Sequence, residues 1–283
     1  MTGRRLIHLQ CHFGLDTIRL ARRGAVVTGL DFSTTAITAA RAQAAELGVP
    51  ARFVEGNVYD APALLNAQYD IAFVTWGSII WLPDIRLWAQ IVAELLAPGG
   101  WLYLAEGHPS TLSLDEVDGR LVAAQPWRTP TNAPFVYDNA TTYTGDSTPL
   151  AHTRNYEWSH PLSGIIGGLL EAGLHLDFLH EHERLPWRYF PMMEEPRIGV
   201  TSYPTDIRRC RCLFHCRLRS VLSIELSAAS TSWAVYWAAC SADAGHRHPV
   251  DFAVAASPAV DVIAGIAAAS SLPPTPPLPA IRS

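Results

Sequence analysis

The chain has no lysine. Every side chain that is cationic at neutral pH, histidine aside, is an arginine, and with the high alanine and proline content this reads as a GC-rich coding bias rather than as function. A basic patch is missing too: the formal net charge is -5 over 283 residues, which gives no reason to expect nucleic acid as a partner. No uninterrupted apolar run reaches the length of a membrane span; the closest, Val221 to Cys240, carries Glu225 and several Ser and Thr. No basic segment followed by an apolar one opens the chain, so no signal peptide is expected. The five cysteines are an odd number, and with no signal they fit a reducing, cytoplasmic setting.

Glycine is scarce where it would matter most. "RLIHL" (5–9) reads as a buried strand and Leu15 to Arg23 as a helix. The loop between them, "QCHFG", holds one glycine, Gly14. A dinucleotide-binding loop needs several glycines so that backbone can approach a pyrophosphate at the helix N-terminus. Here Gln10 and His12 stand in two of those places. Bulky side chains there exclude the pyrophosphate and leave room for a nucleoside ligand without phosphates.

The rest of the first half alternates strand and helix. "AVVTGLD" (25–31) is a strand ending in an acid. Ser33 is an N-cap, and 34–47 is an Ala-rich helix closed by Gly48. "ARFVEG" and "YDIAFVTW" (69–76) are strands. "DIRLWAQIVAELLAPGG" is an amphipathic helix with Ile85, Trp88, Ile91, Val92 and Leu95 on one stripe, stopped by Pro98 and Gly99, and "WLYLAE" (101–106) is a fifth strand. This order implies an α/β fold with a right-handed, mostly parallel sheet between helical layers. Residues 107–157, rich in Pro, Thr, Asn and Tyr, read as a substrate lid or insert; a helix (159–174) and a sixth strand (175–183) follow.

Ligands of such sheets sit at the carboxyl ends of the strands. That edge collects Gln10, Cys11 and Gly14 from the first loop, Asp31 and Phe32 from the second, Asn57 and Val58 from the third, and Thr75 and Trp76 from the fourth. Asp31 suits both hydroxyls of a ribose; Asn57 and Val58 offer an amide and an apolar face to an adenine.

"LIHLQCHFG", "DFS", "EGNVYD" and "LLAPGGWLYLAE", in this order and spacing, resemble the motifs of class I S-adenosylmethionine (SAM)-dependent methyltransferases over about residues 4–193. The resemblance is narrower still to a bacterial subgroup with "HLQCHFGLDT" in its first loop and "YEW" then "FLHEHE" near its end. It implies a Rossmann-like αβα sandwich, SAM as cofactor at the nine residues above, and methyl transfer by in-line displacement to a small-molecule acceptor. The chain departs from the family's pattern at His8, where an acid is usual, at Gln10 and His12, and at Asn57. Alternative readings are a non-catalytic or defective SAM-fold protein and an NAD(P)-dependent oxidoreductase; the glycine-poor loop argues against the last.

Methyl transfer depends on alignment, and a base is needed only when the acceptor must lose a proton early. Candidates by position are Glu106, His108, Tyr143, Glu157 and His160. Trp127, Tyr143, Tyr156, Trp158 and Trp187 suggest an apolar or aromatic acceptor. His8 reads as a buried, hydrogen-bonded histidine. In "CRCLFHC", Cys210 and Cys212 are too close for the usual zinc knuckle, so no metal is expected.

Residues 1–195 carry thirteen Arg against twenty-one acids, and residues 196–283 eight Arg against five. The functional domain is therefore taken as 1–195. The remainder, without clean periodicity and ending in "SLPPTPPLPAIRS", resembles an unselected, frameshifted reading of GC-rich DNA and is expected to be largely disordered. The native seventh strand, antiparallel between strands five and six, is then absent unless "CLFHCRL" or "VLSIEL" replaces it.

Overall fold

A computed structural model describes residues 1–138, 153–185, 189–197, 200–202 and 213–220. All of them fall in one compact unit, Met1–Ser223. The expected alternation is present: β1 (Arg5–Leu9), α1 (Leu15–Arg22), β2 (Val26–Asp31), α2 (Thr34–Glu46), β3 (Arg52–Glu55), α3 (Ala61–Leu65), β4 (Tyr69–Thr75), α4 (Ile85–Leu95) and β5 (Leu96–Gly107). Then come a short helix α5 (Pro109–Leu112), two hairpins, β6 (Leu114–Val117) with β7 (Arg120–Ala123) and β8 (Phe135–Asp138) with β9 (Arg154–Glu157), helix α6 (Leu162–Glu171) and β10 (Leu174–His182). Three short strands, β11 (Arg184–Leu185), β12 (Glu194–Arg197) and β13 (Val200–Ser202), pair with one another, and β14 (Leu213–Ser220) closes the described chain.

The main sheet has seven strands in the order β10-β14-β5-β4-β1-β2-β3. β1 pairs in parallel with both β2 and β4. The chain thus winds outward from β1 in both directions, and the break between the β1 and β4 loops is the topological switch point. Helices α1 and α2 pack one face through Ile18, Ile37, Ala40 and Ala44; α4 and α6 pack the other through Trp88, Ile91, Val92, Ile165 and Leu169. The whole Ile85–Leu95 stripe is buried, as the helical spacing requires. Ser33 caps α2, its hydroxyl accepting the Ala36 N–H at 3.2 Å.

Two expectations shift. The helix before β5 stops at Leu95 instead of running to Pro98, because Leu96 already pairs with Tyr69 across a register break. Gly100 sits in that break, where a Cβ would lie 2.8 Å from the Ala97 carbonyl and 2.9 Å from that of Tyr69. The segment 107–157 also carries its own α5 and hairpins.

The larger difference lies past residue 195, where disorder was expected. β14 inserts antiparallel between β10 and β5, so the sheet is complete. The sequence "LFHCRL" alternates with period two: Phe214, Cys216 and Leu218 are fully buried in the core under α4 and α6, and His215, Arg217 and Arg219 take the opposite face. Arg217 and Arg219 both pair with Asp177 of β10, at 2.7 and 2.5 Å. "CLFHCRL" is thus the substitute for the seventh strand; "VLSIEL", Cys210, Cys212 and the proline-rich end lie outside the described residues.

Candidate functional site

The loops after β1, β2, β3, β4 and β5 all leave the carboxyl edge of the sheet, flanking the switch point where such folds bind ligands. The first loop has the backbone of a glycine-rich turn without its glycines. Gln10 (φ +56), His12 (φ +51) and Gly14 (φ +71) are all left-handed. Each non-glycine residue there costs on the order of 1 kcal/mol or more, so the surrounding contacts hold the turn. The Cys11 N–H donates to the Leu30 carbonyl at 2.9 Å and the Gly14 N–H to the Cys11 carbonyl at 2.9 Å. Gly14 allows no side chain: a Cβ would sit 2.5 Å from the Phe53 ring. The Cys11 thiol packs with Ile18, Ile37 and Phe53, and burial pushes it up to about 12, which removes it as a nucleophile. His8 bonds Thr17 Oγ1 through Nδ1 at 2.8 Å, and burial pushes it down to about 4 against the opposing pull of Asp16. It is the buried, satisfied histidine the sequence suggested.

Asp31 ends β2, nearly buried. Its Oδ2 accepts the His12 N–H at 2.8 Å and its Oδ1 the Ser33 N–H at 2.9 Å. One carboxylate therefore ties the first loop to the start of α2. A carboxylate offers about four lone-pair directions, so two remain for ribose hydroxyls. Phe32 beside it is exposed. In the third loop the Asn57 side chain accepts the Tyr59 N–H at 3.0 Å, capping a short 3-10 turn, while Val58 is buried. The Asn57 oxygen is thus committed to the turn. Thr75 is buried, its carbonyl accepting from Ser78 Oγ at 2.7 Å; Trp76 is half-exposed at φ +58, with its N–H on the Ala105 carbonyl at 2.9 Å.

Sequence reasoning missed what holds the fourth loop. Glu106, at the end of β5 and almost fully buried, accepts the N–H of Gly77 at 2.6 Å, of Ser78 at 2.7 Å and of Ile79 at 3.1 Å. Burial raises its carboxyl, and these N–H groups pull it back only in part. The Ser78 carbonyl in turn accepts from Gln10 Nε2 at 2.6 Å, which joins the fourth loop to the first across the switch point. Gln10 Oε1 is buried and has no hydrogen-bond partner. The available signal was an acid closing "WLYLAE" opposite a Gly-Ser pair closing "VTWGS".

The other acid–base candidates are less gathered. His108 Nε2 lies 2.8 Å from Glu181 Oε1, and its Nδ1 lies 2.7 Å from Ser110 Oγ and accepts the Ser110 N–H at 3.2 Å. Both ring nitrogens are therefore engaged, and the Nδ1 acceptor role puts the ring proton on Nε2, toward Glu181. His160 Nε2 donates to the Leu82 carbonyl at 2.7 Å, and burial pushes the ring down. Glu157, in β9, is raised by burial. Glu106 and His160 are the ionisable groups of a narrow recess, otherwise lined mainly by Ile79, Ile80, Leu112, Trp158 and Ile165. Trp127 and Tyr156 are exposed; Tyr143 and Trp187 lie outside the described residues.

The groups at the switch point fit SAM. The loop follows the glycine path, the Asp31 carboxylate keeps acceptor capacity, and an orphaned acceptor at Gln10 waits for a donor. The comparisons agree. The profile of a family described as a methyltransferase domain matches residues 7–100. A ubiquinone biosynthesis O-methyltransferase of Cronobacter sakazakii is 33% identical over 104 residues, 36% of this chain and 42% of that one. The same-named protein of Paracidovorax citrulli is 32% identical over 107 residues, 37% of this chain and 44% of the relative. The match thus spans less than half of these relatives. Among solved structures, a SAM-dependent methyltransferase of Clostridium acetobutylicum superposes with TM-score 0.52 at 10% identity, over 77% of this chain and 84% of the other. The [4+2]-cyclase SpnF does so with TM-score 0.50 at 16% identity, over 78% and 76%. These two likenesses establish the fold and nothing more. Residues 7–100 thus match a methyltransferase domain, and the sheet around them has the Rossmann-like fold of SAM-dependent methyltransferases.

Proposed function

We propose that this chain transfers the methyl group of SAM to a small acceptor with a largely apolar body. The observation that carries the reading is the Asp31 carboxylate, fixed by the His12 and Ser33 N–H groups at the mouth of a glycine-path loop. Gln10, Cys11, Gly14, Asp31, Phe32, Asn57, Val58, Thr75 and Trp76 are the proposed cofactor contacts, with Asp31 on the ribose and Val58 beneath the adenine. When bound, the cofactor supplies a methyl group on a positively charged sulfur, a good leaving group that needs no acid. What remains for the protein is alignment of acceptor and methyl, and exclusion of water. Ile79, Ile80, Leu112, Trp158 and Ile165, which line a narrow recess beside Glu106, give this edge of the sheet an apolar character. His160 and Glu106 are its polar ends, and we assign Glu106 to holding the fourth loop, because its oxygens already carry three N–H groups. The relatives' names, ubiquinone biosynthesis O-methyltransferases, favour an oxygen as the atom methylated.

A second reading, a SAM-fold protein that binds the cofactor without turning it over, is favoured by the engagement of both His108 nitrogens and of the Glu106 oxygens. The test is incubation of the full chain with SAM tritiated at the methyl group and a panel of small phenols. Tritium appearing in an extracted phenol, and lost in Asp31→Ala, supports the transferase. Retention of labelled SAM with no transfer to any phenol supports the binding protein.

A further inference from the structure

We propose that Ser110, His108 and Glu181 form a proton relay that makes Ser110 a nucleophile toward activated carboxylic esters. This activity is separate from methyl transfer and needs no cofactor.

The three side chains line up at the end of the sheet. The Ser110 hydroxyl lies 2.7 Å from His108 Nδ1, and Glu181 Oε1 lies 2.8 Å from His108 Nε2. The Ser110 N–H donates to Nδ1 at 3.2 Å, so the ring proton sits on Nε2. The Ser110 hydroxyl therefore donates to the ring, and the ring donates to the carboxylate. A hydroxyl, an imidazole and an acid joined in that sense are the parts of an activated nucleophile.

The fold fixes each part. β5 ends at Gly107, and Pro109 holds His108 extended at φ -71, ψ 131. The His108 carbonyl accepts the N–H groups of Thr111 and Leu112, which closes the turn that brings Ser110 to the ring. That ring stands edge-on to Phe214, and its side chain is 12% exposed. Glu181 comes from β10, where it is the cross-strand partner of Phe214. Capping of the short α5 accounts for the 3.2 Å contact alone. It requires neither the hydroxyl at 2.7 Å nor an acid 73 residues away on the other nitrogen. Ser110 itself is exposed, so a small ester reaches it without any opening of the structure.

In the reaction, Ser110 Oγ bonds to the ester carbonyl carbon as its proton passes to His108 Nδ1. Glu181 stabilises the imidazolium. The tetrahedral intermediate then breaks its bond to the leaving oxygen, which takes the proton from Nδ1 and departs as the alcohol, and an acyl-serine remains. Water, deprotonated by the same ring, attacks the acyl carbon and frees the acid and the serine. Nothing is oxidised or reduced. The nearby N–H groups are spent, that of Ser110 on Nδ1 and those of Thr111 and Leu112 on the His108 carbonyl. They are not offered to a developing oxyanion, so the relay suits esters whose leaving group is already good, such as aryl acetates.

The experiment treats the full chain with p-nitrophenyl acetate and follows acetylation by mass spectrometry of the peptide carrying Ser110. The chain has no lysine, so no ε-amine competes for the reagent. Ser113, whose hydroxyl donates to the Ser110 carbonyl at 2.9 Å, is the comparator in the same peptide. Rates are read as the ratio of Ser110 to Ser113, which cancels general changes in exposure of the turn. The expected ratio is at least about ten in the wild-type chain. It falls to about one in His108→Ala, and at least about threefold in Glu181→Gln, which keeps the shape of the acid and loses its charge. Thermal melts confirm that each variant is folded. Equal acetylation of the two serines in the wild-type chain, or an unchanged ratio in folded Glu181→Gln, overturns the relay. The first of these needs no variant and so decides the matter even where a substitution prevents folding.

Discussion

Glu106 Oε1 lies 2.7 Å from the amide nitrogen of Ser78, so a carboxylate at the end of one strand fixes the loop that leaves the neighbouring strand. The replacement Glu106→Gln turns an amide NH₂ toward backbone donors that need an acceptor. The expected outcome is a loss of about 1–3 kcal/mol in urea denaturation, together with weaker S-adenosylhomocysteine binding because Ser78 no longer holds Gln10. A variant as stable as wild type shows that the loop is held by other means.

The first loop separates two kinds of residue. At Gly14 the backbone is left-handed and the Cβ position is filled by Phe53, so Gly14→Ala should destabilise the chain by roughly 1–3 kcal/mol or more. At His12 the backbone is left-handed while the side chain is tolerated, so His12→Gly should raise stability by up to about 1 kcal/mol. Thermal denaturation of the two variants distinguishes them by sign. Destabilisation by His12→Gly means that the imidazole contributes more than its backbone costs.

Phe214 is fully buried in the strand between β10 and β5. Phe214→Ala should cost about 3–5 kcal/mol if that strand is part of the sheet. An unchanged denaturation midpoint would mean that residues past 195 contribute nothing to the fold.

Acid should weaken the fold. Burial holds His8 and His215 near 4, and His215 also faces His180 and His182, whose charge would disfavour its own, with Tyr103 and Phe178 as the remaining ring neighbours. Their folded pKa values lie below the unfolded value of about 6.5, so the unfolded chain binds more protons between about pH 6.5 and about pH 4. The stability they leave intact is fully present above about pH 6.5 and is lost as pH falls toward about 4. Urea midpoints should drop across that window, and His215→Phe, which keeps a ring in the cluster, should flatten the drop. A midpoint independent of pH there contradicts the assignment.

Most of the sheet was legible because each strand and helix from Arg5 to Glu106 declares itself by apolar periodicity and by Gly, Pro or Ser at its ends. Gly24, Gly48 and Gly99 are left-handed where the sequence placed stops. The sheet edge that gathers the candidate residues was legible for the same reason: strand ends locate it. The fourth-loop clamp was not, because Glu106 and Ser78 are 28 residues apart and their contact depends on the pairing of β4 with β5. Nor was the bond from Gln10 to the Ser78 carbonyl, 68 residues away. The strand at 213–220 was legible only as one of two possible substitutes for the seventh strand, because its composition obscures it. His215, Arg217 and Arg219 obscure the alternation of Phe214, Cys216 and Leu218, and the gap that the strand fills exists only once β5 and β10 are in place.

The most direct measurement is a calorimetric titration of the purified full chain with S-adenosylhomocysteine, repeated on Asp31→Ala. The expected result is saturable binding near one ligand per chain, weakened at least about tenfold in the variant by loss of the ribose acceptor. A folded chain that takes up no S-adenosylhomocysteine, or a variant that binds it as tightly as wild type, contradicts the account.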